Sequence, residues 1–307
     1  MKLHKALLLK LIVTSTLVGV LLWYVDLDQV FSCLSQIPWH IALIAMLLFS
    51  GQMFLATFRW FYILNTSKKV SFSKILELNL LATFAQNIFL GFIGASLMKI
   101  GLVKRLNVPI STSTIAFIMD RLVILFTLLL MVAITLPFTP KIPDFSVSPF
   151  YLLGGGVLLV TFCIFFLKKI PLVKRLPYQK YLPVMSLSLS KTVIKMLFVS
   201  IGSLFLYFIG IYIIGRYLDV GISFKNILIV MPIITLITSL PISINGWGVR
   251  ESVMIIGFGL FGVTKENALA LSIFVGILTL LSLIPLAVPA MIYRNRSSIR
   301  RIVASLK

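Results

Sequence analysis

Long apolar runs separated by short polar connections make up almost the whole chain. The runs cover residues 40–64, 73–90, 111–137, 150–167, 195–217, 225–241 and 265–292. Each is close to the roughly 20 residues that an α-helix needs to cross a bilayer. None shows the alternation of apolar and polar residues that is typical of a barrel strand. The pattern therefore predicts an all-α polytopic membrane protein.

The N-terminal segment "MKLHKALLLKLIVTSTLVGVLLWYVDLD" has the basic start and apolar run of a secretory signal. No small-residue cleavage site follows the run, which ends in Trp23 and Tyr24, residues typical of a membrane interface. We therefore expect an uncleaved first span that starts in the cytoplasm.

Composition excludes several classes of function. Sixty per cent of the residues are hydrophobic and 12% are charged, whereas soluble domains have about 25% charged residues. The 307 residues leave no room for a separate soluble catalytic domain, so one membrane domain is expected over 1–307. The cysteines and histidines (Cys33, Cys163, His4 and His40) form no cluster, and there is no Walker motif. We expect no metal, no cofactor and no direct use of ATP.

The positions of the charges predict which segments cross fully. If residues 73–106 and 225–262 each enter and return on one side as helical hairpins, most of the 28 Lys and Arg residues lie inside. Acidic residues then lie outside: Asp26, Asp28, Asp144, Asp219 and Glu266. This arrangement gives about six full spans, two hairpins and cytoplasmic N- and C-termini. Two full crossings per hairpin would give the same sidedness.

One hairpin would open to each side, so the chain would contain two half-repeats of opposite orientation, 1–140 and 150–307. Five residues of the first hairpin recur 152 positions later. Phe72, Ile75, Leu76, Thr83 and Gly94 become Phe224, Ile227, Leu228, Thr235 and Gly246. Inverted repeats with interrupted helices are how many transporters build a site near the middle of the membrane.

The most polar stretch inside the apolar sequence is "PISINGWGVRE" at residues 241–251. Gly246 and Gly248 allow a tight turn, and Asn245 tolerates left-handed backbone. If the second leg of the hairpin starts near Gly248, Arg250 lies in its first turn, where the helix dipole favours an anion. Its guanidinium suits a phosphate, and Glu251 could orient that group or carry a proton.

A purely structural role is the alternative for the same charges, since Arg250 and Glu251 could connect the hairpin to a neighbouring helix. Side chains of adjacent helical residues point about 100° apart, which predicts poor direct pairing between these two. Asp120 is expected to neutralise Arg250, Lys99 or Arg59, and Arg121 to belong to the same charge network. Arg59 followed by Trp60 is typical of an interfacial anchor.

The quoted stretch, "FGVTKENALALSIFVGILTLL", "FRWFYIL" at 58–64 and "MDRLVILFTLLL" at 119–130 together resemble the lysylphosphatidylglycerol synthase transmembrane-region family. This is the flippase-like membrane domain of multiple peptide resistance factors, and the resemblance implies lipid translocation without aminoacyl transfer. In the first hairpin, "GASLMK" has Ser96 where the family commonly has an acid and Lys99 where it commonly has Arg.

We therefore predict a lipid translocase for an anionic phospholipid or a polyprenyl-phosphate-linked lipid. The residues expected to bind the headgroup are Arg250, Glu251, Ser243, Asn245, Gly246, Gly248, Lys99 and Ser96. The alternatives are a membrane-embedded enzyme of cell-envelope glycolipid synthesis and a non-transporting partner of a glycosyltransferase or lipid-modifying synthase. A homo-oligomer is left open. The net charge of +20 is spread over separate loops, which favours anionic lipid over nucleic acid as the partner.

Overall fold

A computed structural model describes the central part of the chain. It covers residues 25–65, 69–85, 99–138, 191–218, 221–239, 243 and 246–286, with a few residues between 14 and 23. Every regular element in these ranges is a helix. The predicted span at 150–167, most of the N-terminal span and the C-terminal tail lie outside the described residues.

Four of the described helices are long and apolar enough to cross a membrane. They are α2 (Trp39–Asn65), α4 (Ile110–Thr135), α5 (Lys191–Tyr217) and α8 (Lys265–Leu281), the last of which continues after Ser282 to residue 286. We number them in chain order together with α1, α3, α6 and α7, whose bounds follow. The four long helices match the apolar runs predicted at 40–64, 111–137, 195–217 and, in its first part, 265–292.

The apolar runs predicted to form hairpins give shorter helices. They are α3 (Phe72–Ala85), α6 (Phe224–Thr238) and α7 (Val249–Gly259). At about 1.5 Å per residue, the 15 residues of α6 extend roughly 22 Å, less than the roughly 30 Å of a hydrocarbon core. The helix ends three residues before Pro241, and α6 and α7 pack against each other. In the first hairpin, residues 99–103 are helical and a short 3-10 helix follows, Lys104–Leu106.

A short helix that the hydrophobic pattern did not predict, α1 (Leu27–Ser35), follows the N-terminal span. Asp26 caps it, because its Oδ1 accepts hydrogen bonds from the backbone N–H groups of Asp28 (3.0 Å) and Gln29 (3.3 Å). The helix packs against α8, where the Cys33 thiol donates to Asn267 Oδ1 at 3.1 Å. Phe31 and the flanking Trp23 and Trp39 are exposed, as aromatic side chains at a membrane interface are.

The two longest helices, α2 and α5, run antiparallel at the centre of the described structure. A Cβ on Gly51 would lie 3.2 Å from Leu206 Cδ1, and one on Gly202 would lie 3.7 Å from Leu55 Cδ1. Since the partner of the later α2 residue comes earlier in α5, the chain directions are opposite. Small residues at these contacts let the two backbones approach closely.

Gly210 provides the tightest apolar test of this packing. A Cβ there would lie 2.5 Å from Cε1 of the buried Phe49 ring, which is itself held against Tyr207. Gly210→Ala is expected to lower the free energy of unfolding by about 1–3 kcal/mol, the usual cost of overpacking. Thermal unfolding of the detergent-purified protein measures the loss. Gly259→Ala is the control, because nothing lies within 4 Å of its added Cβ, and equal stability of the two variants would contradict the packing described.

Candidate functional site

The loop between α6 and α7 turns through two glycines with left-handed backbone. Gly246 has φ 80° and Gly248 has φ 81°, conformations that residues with a Cβ rarely adopt. Gly248 is the N-cap of α7, which begins at Val249. The predicted glycine turn and the predicted start of the second leg are therefore confirmed, and Arg250 and Glu251 lie in the first helical turn.

Glu251 is buried and is the acceptor at the centre of this turn. Its Oε2 accepts a hydrogen bond from the Gly248 N–H at 2.7 Å, which caps the helix. Its Oε1 accepts from Arg250 Nε at 3.0 Å and Nη2 at 2.5 Å, and from Ser272 Oγ at 3.2 Å. We call Gly248, Arg250, Glu251 and Ser272 the hairpin-tip cluster.

The prediction that Arg250 and Glu251 would pair poorly is wrong. The angular separation of adjacent positions holds for side chains that extend straight from the helix. Here the Glu251 side chain folds back over the helix N-terminus to reach the Gly248 N–H, and this brings Oε1 beside the neighbouring residue. The long Arg250 side chain then reaches the same oxygen.

The Arg250 guanidinium fits against α8 because that helix presents small residues. A Cβ on Gly276 would lie 2.5 Å from Arg250 Nη2, so only glycine leaves room for the group. Ser272 Oγ lies 3.2 Å from Arg250 Nε, and the Trp247 ring centroid lies 5.0 Å from Cζ. Within the described part of the chain, Nη1 has no hydrogen-bond acceptor.

The other predicted headgroup residues of this loop are only partly described. Ser243 is buried, and its Oγ has no hydrogen-bond partner among the residues that the structure covers. A buried hydroxyl without a partner is unusual and calls for a ligand or a water molecule. Asn245, and Ser96 of the first hairpin, lie outside the described residues.

A second set of buried charges connects α2, α4 and α5. Arg59 Nε and Asp120 Oδ1 lie 2.7 Å apart, and both side chains are only 4% exposed. Arg59 Nη1 also donates to Ser200 Oγ at 2.9 Å. The interpretation of Arg59 as an interfacial anchor is therefore wrong. A carboxylate on the neighbouring helix compensates its charge, so Arg59 is buried and does not extend to the headgroups.

Lys99 belongs to this second set and not to the hairpin tip. It is 8% exposed, and its Nζ lies 3.9 Å from the centroid of the Trp60 ring. It interacts electrostatically with Asp120, Arg121 and Arg59. We call Arg59, Trp60, Lys99, Asp120 and Ser200 the Lys99 cluster. Arg121 lies on the exposed side of α4 near the Phe117 ring, 5.0 Å from Cζ to the centroid.

The residues predicted to form one headgroup site therefore belong to two clusters at different levels of α5. Ser200 marks the first cluster, and Tyr207, which interacts electrostatically with Arg250 and Glu251, marks the second. Seven residues of α-helix separate the two levels by roughly 10 Å. In the described ranges, no three His, Cys, Asp or Glu side chains are placed to hold a metal ion.

Sequence reasoning missed Ser272, Gly276, Ser200 and Tyr207. A signal for the first two was present, because Ser272 and Gly276 are small residues spaced four apart in an apolar helix, a pattern typical of close helix packing in membranes. Ser200 and Tyr207 have no comparable motif, since their roles depend on how α5 packs against α2.

Four helices long and apolar enough to cross a membrane, with an ion pair buried between two of them, define a multi-pass helical membrane protein. Residues 7–287 match the family model of the lysylphosphatidylglycerol synthase TM region, and the chain belongs to this family. The resemblance predicted from the quoted motifs is thereby confirmed. No curated protein matches the chain.

We expect each charge of the buried Arg59–Asp120 pair to be tolerated only because the other charge compensates it. Arg59→Met or Asp120→Leu alone leaves an uncompensated buried charge, which typically costs about 3–5 kcal/mol. The double variant removes both charges and should recover most of that loss. Thermal or denaturant unfolding in detergent measures the stability of the unmodified protein, the two single variants and the double variant. A loss of stability in the double variant equal to the sum of the two single losses would contradict this pairing.

Proposed function

We propose that this protein moves an anionic lipid between the leaflets of the cell membrane, and that it acts as a transporter and not as an enzyme. The cargo would be an anionic phospholipid or a polyprenyl-phosphate-linked lipid. The observation that carries the proposal is the hairpin-tip cluster, an ion pair in the first turn of a helix too short to cross. Charges within membrane segments are costly and usually mark a pathway or an internal pair.

The hairpin-tip cluster has the chemistry to receive a phosphate. Arg250 Nη1 has no acceptor among the described residues, the dipole of α7 favours an anion, and Ser243 of the preceding loop adds a buried hydroxyl. Glu251 compensates the charge of Arg250 within this cluster. An arriving phosphate would take over part of that guanidinium, so binding exchanges one anion for another and does not require a bare cation to be buried.

The inverted repeat is part of the proposal, and helix bounds support it. α5 begins and ends 152 residues after α2, at 191 against 39 and at 217 against 65. α6 begins 152 residues after α3, at Phe224 against Phe72. This is the offset of the five recurring residues in the sequence. Because α2 and α5 are antiparallel, halves that place these helices in equivalent positions would have opposite orientations.

The same proposal assigns the orientation of the protein in the membrane. One hairpin would open to each face of the membrane. The lysine- and arginine-rich loops and both termini would be cytoplasmic, and the acidic loops external. Lipids attracted to the basic cytoplasmic surface would be the partners of the protein. A glycosyltransferase or lipid-modifying synthase as a further partner is the second hypothesis, and the transport assay below separates the two.

Cysteine labelling tests the sidedness. In a background with Cys33 and Cys163 replaced by serine, Asp28→Cys, Arg216→Cys and Leu260→Cys should react with an impermeant maleimide added to intact cells. Lys69→Cys and Lys104→Cys should react only after permeabilisation. All five positions have exposed side chains, so differences report the face of the membrane and not burial. Labelling of Leu260→Cys from the inside would contradict the outward-opening hairpin.

A liposome assay tests transport. The protein is reconstituted into liposomes that contain fluorescent phosphatidylglycerol or polyprenyl phosphate. Movement of the lipid between leaflets should change the fraction of the fluorescent label that a membrane-impermeant quencher reaches. Arg250→Ala should lower the rate at least about tenfold, because hydrogen bonds to charged groups contribute about 1.5–3 kcal/mol. Gly276→Ala, which displaces the guanidinium without removing its charge, should lower the rate less. Arg250→Lys keeps the charge and is the variant to use if Arg250→Ala does not fold.

The matched control is Arg216→Ala, which removes an exposed cation at the end of α5. Its rate should stay within about twofold of the unmodified protein, since exposed charges contribute little. An unchanged leaflet distribution for every lipid tested, with the unmodified protein matching Arg250→Ala, would overturn the transport proposal. It would leave the non-transporting partner of a synthase as the better account.

A further inference from the structure

The Lys99 cluster contains a buried hydrogen-bond donor that no described acceptor satisfies. Trp60 is fully buried, and its Nε1 has no hydrogen-bond partner within the described residues. The Lys99 ammonium lies over the ring of this same tryptophan, and no carboxylate of the described ranges lies within ion-pair distance of it. Buried polar groups in folded proteins are normally paired, so the unpartnered indole N–H beside a buried ammonium group indicates a place for an acceptor.

The charges of the two clusters differ in a way that decides what kind of ligand this is. In the hairpin-tip cluster Arg250 and Glu251 balance each other. In the Lys99 cluster Arg59 and Asp120 balance each other, and the buried Lys99 adds a further positive charge. A buried charge is costly without a compensating partner, so an anionic ligand would stabilise the Lys99 cluster more than the hairpin-tip cluster, whose charges already balance.

The geometry suits an oxyanion with more than one oxygen. Nε1 is an atom of the ring over which Nζ lies, so the two donors are only a few ångströms apart. A phosphoryl group can accept from both through two of its oxygens. Arg59 is less available to them, because its Nε and Nη1 are engaged by Asp120 and Ser200. Among the described residues, Lys99 is the buried cation of this cluster that has no carboxylate within ion-pair distance.

We propose that the Lys99 cluster is a separate oxyanion site, and that Lys99 determines specificity by the sign of the headgroup charge. A ligand whose phosphoryl group is its only charge would be accepted. A headgroup that also carries amino groups, such as an aminoacylated phosphatidylglycerol, would place its cation against Lys99 and be rejected. This inference rests on the proposed transport function for its biological meaning, but the site itself can be tested without transport.

Two of the four tryptophans are natural reporters for the two clusters, since Trp60 lies at Lys99 and Trp247 at Arg250. A protein that retains only Trp60 and one that retains only Trp247, with phenylalanine at the other three positions, would be placed in phosphatidylcholine nanodiscs. Each is titrated with phosphatidylglycerol, with lysyl-phosphatidylglycerol and with free glycerol phosphate, and the tryptophan emission is recorded.

The expected result is a saturable change in Trp60 emission with phosphatidylglycerol and at least a tenfold weaker response to lysyl-phosphatidylglycerol. Lys99→Met should weaken the phosphatidylglycerol response at least tenfold, and Lys99→Glu should reverse the preference. Lys104→Met is the control, because Lys104 is exposed on the same segment. Lys99→Arg keeps the charge and should keep the preference, which distinguishes charge selection from misfolding. A response to free glycerol phosphate as strong as that to the lipid would support the oxyanion site and assign its ligand to the aqueous phase.

Two outcomes would overturn the inference. Trp60 emission that ignores phosphatidylglycerol while Trp247 emission responds would place anion binding at the hairpin tip alone. Equal Trp60 responses to phosphatidylglycerol and its lysyl derivative would remove the charge selection. If the protein transports lipid but Trp60 emission does not change, this inference is wrong and the proposed function still holds. If Trp60 emission responds in a Lys99-dependent way but no lipid is transported, the proposed function is wrong and this inference still holds.

Discussion

The cost of an uncompensated charge away from water is the constraint on which the interior of this protein depends. Each of the two buried carboxylates that the structure describes, Asp120 and Glu251, has an arginine within direct hydrogen-bonding distance. The pairs also determine which helices meet, since Asp120 on α4 must face Arg59 on α2, and Glu251 on α7 must face Ser272 on α8. The apolar surfaces of the helices are nearly interchangeable in hydrocarbon, so these few polar contacts specify the arrangement.

The two clusters use the same elements of chemistry in different ways. At the hairpin tip, the carboxylate both caps a helix and holds its neighbouring arginine. In the Lys99 cluster, the carboxylate comes from a separate long helix and holds an arginine that is remote in sequence. Asp120 on α4 also interacts electrostatically with Lys99, although its hydrogen bond is to Arg59.

Much of the fold was predictable because apolar length and the positions of basic residues depend on the bilayer alone. The long helices α2, α4 and α5 followed from the apolar runs. The start of α7 after Gly248 followed from the pair of glycines. For the site, the sequence predicted several of the residues that take part but not how they are grouped in space. Arg59 was misassigned because an arginine followed by a tryptophan in sequence is compatible both with an interfacial anchor and with a buried ion pair. The grouping of Lys99 with Trp60 depends on tertiary contacts that one sequence does not reveal.

The small helix α1 has a consequence for biosynthesis. Its Cys33 thiol bonds to Asn267, 234 residues later in the chain. At about 5–20 residues per second, ribosomes need roughly 10–50 s to make that interval. Throughout this time α1 has no α8 to pack against, and the exposed side chains of Phe31 and of the flanking Trp23 and Trp39 favour the membrane interface. α1 therefore reaches its final position well after it has been made.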